Sequence, residues 1–311
     1  MSSVTAFAPA SVGNVAVGFD VLGQALAGPG DRCTARRAAT SGVTITAIRG
    51  LPDAIPGEAA LNTAGRAAQS LLDATDAGFG VELELDKGIP LGSGMGGSAA
   101  SAVAGAVAVN ALLEQPLPTA KLLIHAMNGE YLASGGTPHA DNVAPSLYGG
   151  LTLVSGGDKR RVSALPVPPG LQCVLIHPHL QIETSVGRAV LSDNLPTDRV
   201  IDQIAALGGF IAGCFREDIE LIADSLRDSI IEPQRAHMVP GFYDVKNNAL
   251  DCGALGCSLS GSGPSIFAWT RDVDSEAVAS AMQAAFAGHG LASDKWISRL
   301  DAPGATIQQQ R

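Results

Sequence analysis

The chain is short of basic side chains: 20 Lys and Arg stand against 30 Asp and Glu in 311 residues, a formal net charge of −10. A deficit of that sign excludes general binding to nucleic acid or to an anionic membrane, so an anionic ligand needs a local site built for it. Charge of either sign is scarce, at 16% against 46% apolar residues, and the mean hydropathy is +0.22. That balance excludes intrinsic disorder. Cysteine is sparse as well: Cys33, Cys173, Cys214, Cys252 and Cys257 form an odd, scattered set with no CxxC, the pattern of reduced thiols rather than a disulfide framework. The most apolar stretch, Ala99 to Leu113, falls short of the ~18 residues of a membrane-spanning helix. Residues Met1 to Ala10 lack the basic and apolar regions of a signal peptide. Together these absences point to a cytoplasmic protein with no membrane and no nucleic-acid partner.

What is present is enough chain for two domains at a prior of ~150 residues each. The first half is rich in strand signals: Val4 to Phe7, Cys33 to Ala39, Val43 to Ile48, and the alternation of Val81, Leu83 and Leu85 with Glu82, Glu84 and Asp86. Helices are expected over Ser98 to Leu113 and over Ala120 to Leu132, the second with Thr119 as N-cap, followed by a strand from Gly150 to Val154. The Pro-rich run Pro166 to Gly170 predicts a boundary, giving domains 1–164 and 165–311. Beyond it the pattern predicts a strand at 172–176, helices near 185–193, 198–215 and 217–231, strands and helices alternating over 256–299, and a frayed polar tail from Gly304. This is an α+β arrangement.

The richest chemistry lies between the strand ending at Asp86 and the helix starting at Ser98. Strand, glycine loop and helix together aim free backbone N–H groups and a helix's positive end at one point, which suits phosphate. Gly92, Gly94, Gly96 and Gly97 remove side chains that would block approach, and Ser93 and Ser98 add hydroxyls. A plain flexible turn is the other reading. The spacing Gly92-x-Gly94-x-x-Gly97 mimics a dinucleotide fingerprint, but no strand with a ribose-binding acid follows the helix; no lysine follows Gly97 as a Walker motif requires, and no GxSxG elbow occurs.

The run Pro90-Leu91-Gly92-Ser93-Gly94-Met95-Gly96-Gly97-Ser98-Ala99-Ala100-Ser101 resembles the ATP-binding motif of the GHMP small-molecule kinases. Three further segments resemble the homoserine kinase branch: Ala8 to Gly23, His139-Ala140-Asp141-Asn142-Val143-Ala144-Pro145, and Leu259-Ser260-Gly261-Ser262-Gly263-Pro264-Ser265. They occur in the family's order and span almost the whole chain. One departure is Gly97, where the family carries the first serine of a pair. The resemblance implies a two-domain fold, an N-terminal ribosomal-protein-S5-domain-2-like unit and a C-terminal ferredoxin-like unit, with a cleft between them.

The same resemblance implies an activity, transfer of the γ-phosphate of MgATP to the hydroxyl of L-homoserine, and assigns roles. Pro90 to Ser101 would hold ATP, with Asn62 and Lys87 near its adenine and ribose; Ser98 and Glu130 would hold Mg²⁺. Arg188, in Thr184-x-x-x-Arg188, and Arg235 would bind the substrate carboxylate, since a guanidinium fork binds it bidentately. Asp20 and Asn14 would meet the ammonium or the hydroxyl, Gly261 would bring the second domain to the cleft, and His139 would contact substrate or buttress its loop. Asp141 and Asn142 are neighbours, so an extended backbone turns only one of them toward substrate; the resemblance favours Asn142 as a positioning group in a mechanism with no strong base. Read alone, each is also an ordinary turn, cap or surface residue. A GHMP kinase for mevalonate or a sugar, and a non-catalytic nucleotide-binding regulator, stay open, as does a homodimer.

Overall fold

The computed structural model describes residues 3–50, 55–131, 140–156 and 161–310. Its first layer is a sheet built from β1 (Ser3–Gly13), β2 (Leu22–Ala38), β3 (Val43–Arg49) and β4 (Gly80–Asp86), with α1 (Thr63–Thr75) connecting β3 to β4. β2 runs antiparallel to β1 and β4, and β3 runs parallel to β4. A crossover helix between parallel neighbours is what such a pair requires.

The glycine loop leaves β4 and enters α2 (Gly97–Asn110), which is followed by α3 (Thr119–Glu130), α4 (Val143–Tyr148), β5 (Leu151–Ser155) and β6 (Arg161–Leu165). α2 is apolar all round and nearly every residue is buried, packed against α1, α3, β1 and β2. Its small Ala, Val and Gly side chains are what let these four elements approach it at once.

The second layer opens with β7 (Leu171–Pro178) and continues through α5 (Thr184–Ala189), α6 (Thr197–Arg216), α7 (Ile219–Ser225), α8 (Glu232–Arg235) and α9 (Phe242–Asp251) to the hairpin β8 (Gly256–Leu259) and β9 (Ile266–Arg271). α10 (Ser275–Gly288) and β10 (Ser293–Arg299) complete a four-stranded antiparallel sheet in the order β10-β7-β9-β8. That is the ferredoxin-like order. The layers share one apolar cluster that includes Leu26, Leu175, Phe210 and Trp269, and Trp269 Nε1 donates to Gln24 Oε1 at 2.8 Å across the junction.

Three expectations are corrected. The tail is not frayed: β11 (Thr306–Gln310) pairs antiparallel with β1, so the chain's end returns to the first sheet. All five of its residues are exposed, so this edge strand is held by its backbone ladder to β1 rather than by a buried face. The helix expected over 217–231 stops at Ser225, because the Asp228 carboxylate accepts the backbone N–H groups of Ile230, Ile231 and Glu232 and starts a new turn. Thr119 lies inside α3, which Pro118 begins.

Candidate active site

Gly92, Gly94 and Gly96 have φ of +57°, +75° and +68°, a region that a side chain makes costly. A Cβ on Gly96 would meet Ser11 Oγ at 2.2 Å and Asn142 Oδ1 at 2.9 Å, so the loop lies flush against the neighbouring segments. No side chain caps the start of α2, and its first-turn N–H groups and positive dipole end face the cleft. Beneath the loop the Lys87 ammonium donates to Asp31, to the Gly97 carbonyl at 3.0 Å and to Ser101 Oγ at 2.6 Å. The other Asp31 oxygen accepts the N–H groups of Gly88 and Ile89 at 3.0 and 3.3 Å. One buried ion pair thus holds both ends of the loop.

The turn between β8 and β9 closes over the loop from the second layer. Ser260 Oγ donates to the Gly94 carbonyl at 2.7 Å, the Ser265 N–H to the Ser93 carbonyl at 3.2 Å, and the Gly261 N–H to the Gly13 carbonyl at 3.1 Å. The segment after β1 is bent through positive φ at Asn14, Val15 and Ala16, unusual above all for β-branched Val15. Asn14 stabilises this bend, donating to the Gly261 carbonyl and accepting the Asp20 N–H.

At the far end of the cleft, Arg188 grips Asp20 through both guanidinium nitrogens at 2.9 and 3.0 Å. The guanidinium carbons of Arg188 and Arg235 both lie over the Phe19 ring, 4.9 and 5.3 Å from its centroid. Arg235 is buried; its Nε donates to the Gly187 carbonyl at 2.8 Å and its Nη1 to the Gly261 carbonyl at 3.1 Å. Burial, and then the charge of Arg188, lower its pKa to about 10.

Two carboxyl groups lie between these ends. Ser98 Oγ donates to Glu130 Oε1 at 2.9 Å, while Glu130 Oε2 is buried with no hydrogen-bond partner among the described residues. Burial pushes the Glu130 pKa to about 8. Burial, and then the nearby Asp20, raise that of Asp141 to about 7. Asn142 accepts from Ser11 Oγ at 2.9 Å and donates to Asp141 Oδ2 at 3.2 Å. Both Asp141 and Asn142 line the cleft, against the expectation that only one would: the backbone there turns into α4 instead of extending.

The cleft, of about 500 Å³, gathers Asn14, Asp20, Pro90 to Gly94, Gly96 to Ser98, Glu130, Asp141, Asn142, Thr184, Arg188, Arg235 and Gly261. Six of the expected residues are absent from its lining. Met95, Ala99 and Ala100 are buried in the core, Lys87 and Ser101 serve the ion pair under the loop, and Asn62 caps α1, accepting the Ala64 and Gly65 N–H groups and donating to the Pro56 carbonyl. His139 lies outside the described residues.

Residues 62–150 match the family GHMP kinases N terminal domain, and residues 210–288 match GHMP kinases C terminal. Homoserine kinase from Xanthomonas campestris pv. campestris is 47% identical over 304 residues, covering 97% of this chain and 93% of its own. That of Chlorobium phaeobacteroides is 41% identical, covering 99% and 100%. The crystal structure of homoserine kinase from Cytophaga hutchinsonii superimposes with a TM-score of 0.95 at 43% identity, covering 99% and 98%. The chain belongs to the homoserine kinases of the GHMP family. L. major mevalonate kinase, solved with R-mevalonate, shares the fold alone at 16% identity and a TM-score of 0.68, covering 95% and 96%.

Within this GHMP kinase cleft the sequence reading missed Ile182, Glu183, Ser185, Ser262 and Gly263. Ser262 and Gly263 belong to a motif already in hand, whereas Ile182 and Glu183 carry no motif and reach the cleft because the Ile182 N–H donates to the Gly92 carbonyl. At Gly97, a Cβ would stand 3.2 Å from the Ile89 side chain, so glycine relieves a tight contact. Mg²⁺ is compatible with the donors present: an orphaned buried carboxylate oxygen beside a hydroxyl offers hard oxygen ligands. Among the described residues no cluster of three His, Cys, Asp or Glu exists, and Mg²⁺ needs none where phosphates and water complete its shell.

Proposed function

We propose that the chain transfers the terminal phosphoryl group of ATP to the side-chain hydroxyl of L-homoserine, giving O-phospho-L-homoserine for threonine synthesis in the cytoplasm. The observation that carries this reading is the union, in one cleft, of a phosphate-shaped loop and helix N-terminus with an end built for a zwitterion. The loop N–H groups and the start of α2 hold the phosphates. Glu130 and Ser98 would hold Mg²⁺, which would neutralise charge on the transferring group when bound.

At the other end, Asp20 and Arg188 pair with each other much as they would with an amino acid's own charges. The α-ammonium is assigned to Asp20 and the α-carboxylate to Arg188 and to the Nη2 edge of Arg235. A mevalonate kinase has no ammonium to match, which favours the amino acid over that alternative. With its carbonyl turned to Ser11 and one N–H to Asp141, Asn142 offers its remaining N–H to the substrate hydroxyl and positions it. Asp141, half-ionised near neutral pH, is the adjacent group able to take the proton. In a loose transition state that proton leaves late, so alignment supplies most of the rate.

ADP release measured with homoserine, serine, threonine, mevalonate and galactose tests the reading. Homoserine alone should stimulate strongly, and Arg235→Lys should raise KM for homoserine at least ~10-fold while changing KM for ATP little, because an ammonium cannot present a fork. Stimulation by mevalonate or galactose in its place would select the other kinase reading. No stimulation by any of the five would select the non-catalytic one.

A further inference from the structure

α6 has two apolar faces and only one of them is used. Ala206, Phe210, Gly213 and Cys214 are buried against the protein. On the opposite side Ile201, Ile204 and Phe215 are 60%, 65% and 64% exposed, in line with exposed Ala205, Gly208 and Ala212. The positions recur at three- and four-residue steps, so they form a continuous stripe nearly the length of the helix. No charge interrupts it. Large exposed apolar stripes bordered by polar residues mark interaction surfaces.

The residues of this stripe are complementary to themselves when the helix direction is reversed. Gly208 is its midpoint: Ile201 lies seven residues before and Phe215 seven after, Ile204 four before and Ala212 four after. An antiparallel copy centred on Gly208 therefore puts Phe215 opposite Ile201 and the bulk of Ile204 opposite the small Ala212. Arg216 then falls opposite Val200, between Asp198 and Asp202 of the other copy, and these three charges lie on the same side of the stripe. None of the three belongs to an ion pair among the described residues. A parallel pairing would set Arg216 against Arg216. A two-fold interface of this kind needs only one surface patch, and Gly208 leaves its centre open: a Cβ there meets nothing within 4 Å.

We propose that the exposed face of α6 is the contact between two copies of this chain, packed antiparallel about a two-fold axis through Gly208. The cross-linking test uses a Cys252→Ser background, since Cys252 is the exposed native thiol among the described residues. A residue on the axis meets its own copy, so Gly208→Cys should form a covalent dimer under mild oxidation, within the ~4.4–6.8 Å Cα reach of a disulfide. Arg199→Cys, exposed on another side of the helix, should stay uncross-linked.

Sedimentation of the untouched chain should give twice 31.5 kDa. Ile204→Glu should raise the dissociation constant at least ~100-fold while the monomer keeps the wild-type circular dichroism spectrum, and Arg216→Asp should weaken the dimer until Asp198→Arg and Asp202→Arg are added. A wild-type monomer at about 10 µM would overturn the proposal. So would a dimer indifferent to Ile204→Glu, or equal cross-linking at positions 199 and 208.

Discussion

Replacing Lys87 by Met separates two accounts of that residue. The family resemblance puts it beside the nucleotide, whereas its ammonium is buried under the glycine loop, bonded to Asp31, Ser101 Oγ and the Gly97 carbonyl. Met fills similar volume but leaves the Asp31 carboxylate buried with only the N–H groups of Gly88 and Ile89 and the Ser101 hydroxyl. Breaking a buried pair from one side costs about 3–5 kcal/mol, which at ~2–4 °C per kcal/mol lowers Tm by on the order of 10 °C. Adding Asp31→Asn removes the stranded charge while its side-chain carbonyl still accepts the two N–H groups, so the double variant should regain most of the loss. The assay is thermal unfolding of the two single variants and the double, with KM for ATP and for homoserine measured on each. The reasoning is refuted if Lys87→Met keeps its Tm and raises KM for ATP, or if the double variant melts no higher than the single one. Either result would return Lys87 to the nucleotide.

Glu130→Gln tests the buried carboxyl. Its folded pKa of about 8 lies above the ordinary 4.5, so its contribution to stability is present below pH 4.5 and is lost as pH rises toward 8. Metal-free wild type should therefore lose up to ~1.4 kcal/mol per pH unit across that window relative to the Gln variant, which should be inactive but the more stable at pH 8. Parallel plots of Tm against pH would remove Glu130 as a buried neutral acid. Asn62→Ala deletes the cap of α1 and should cost about 0.5–2 kcal/mol in urea unfolding with KM for ATP unchanged; a large rise in that KM would make Asn62 a nucleotide contact.

The cleft was legible where chemistry and backbone freedom are written in the same few residues. Glycines at 92, 94 and 96 are needed both for positive φ and for close approach, so the loop shows in composition alone. Arg235 and Arg188 are different. Nothing local distinguishes them from surface arginines, and only long-range packing around Phe19 brings them together. Lys87 and Asn62 reach the nucleotide only through the family resemblance, and nothing in their own sequence surroundings supports that placement. Their burial follows from Asp31 and from α1, and α1 had its own sequence signal, an Asn followed by apolar Ala64, Ala67, Ala68, Leu71 and Leu72 at helical spacing.

Asp141 and Asn142 show how one local assumption alters a mechanism. In an extended segment the pair would face opposite ways, and Asn142 would act with no carboxylate beside it. The residues that follow, Val143, Ala144 and Pro145, are a helix's first turn, where proline is tolerated because its missing N–H would have had no partner. Helical turning at Asn142 carries both side chains to the cleft side and bonds one to the other. The amide is thereby committed to one orientation, carbonyl toward Ser11 and N–H toward Asp141, and is left a donor. An amide held that way can align an oxygen but cannot remove its proton. The base question therefore moves one residue back along the chain, to a carboxyl that burial has already brought to about neutral pKa.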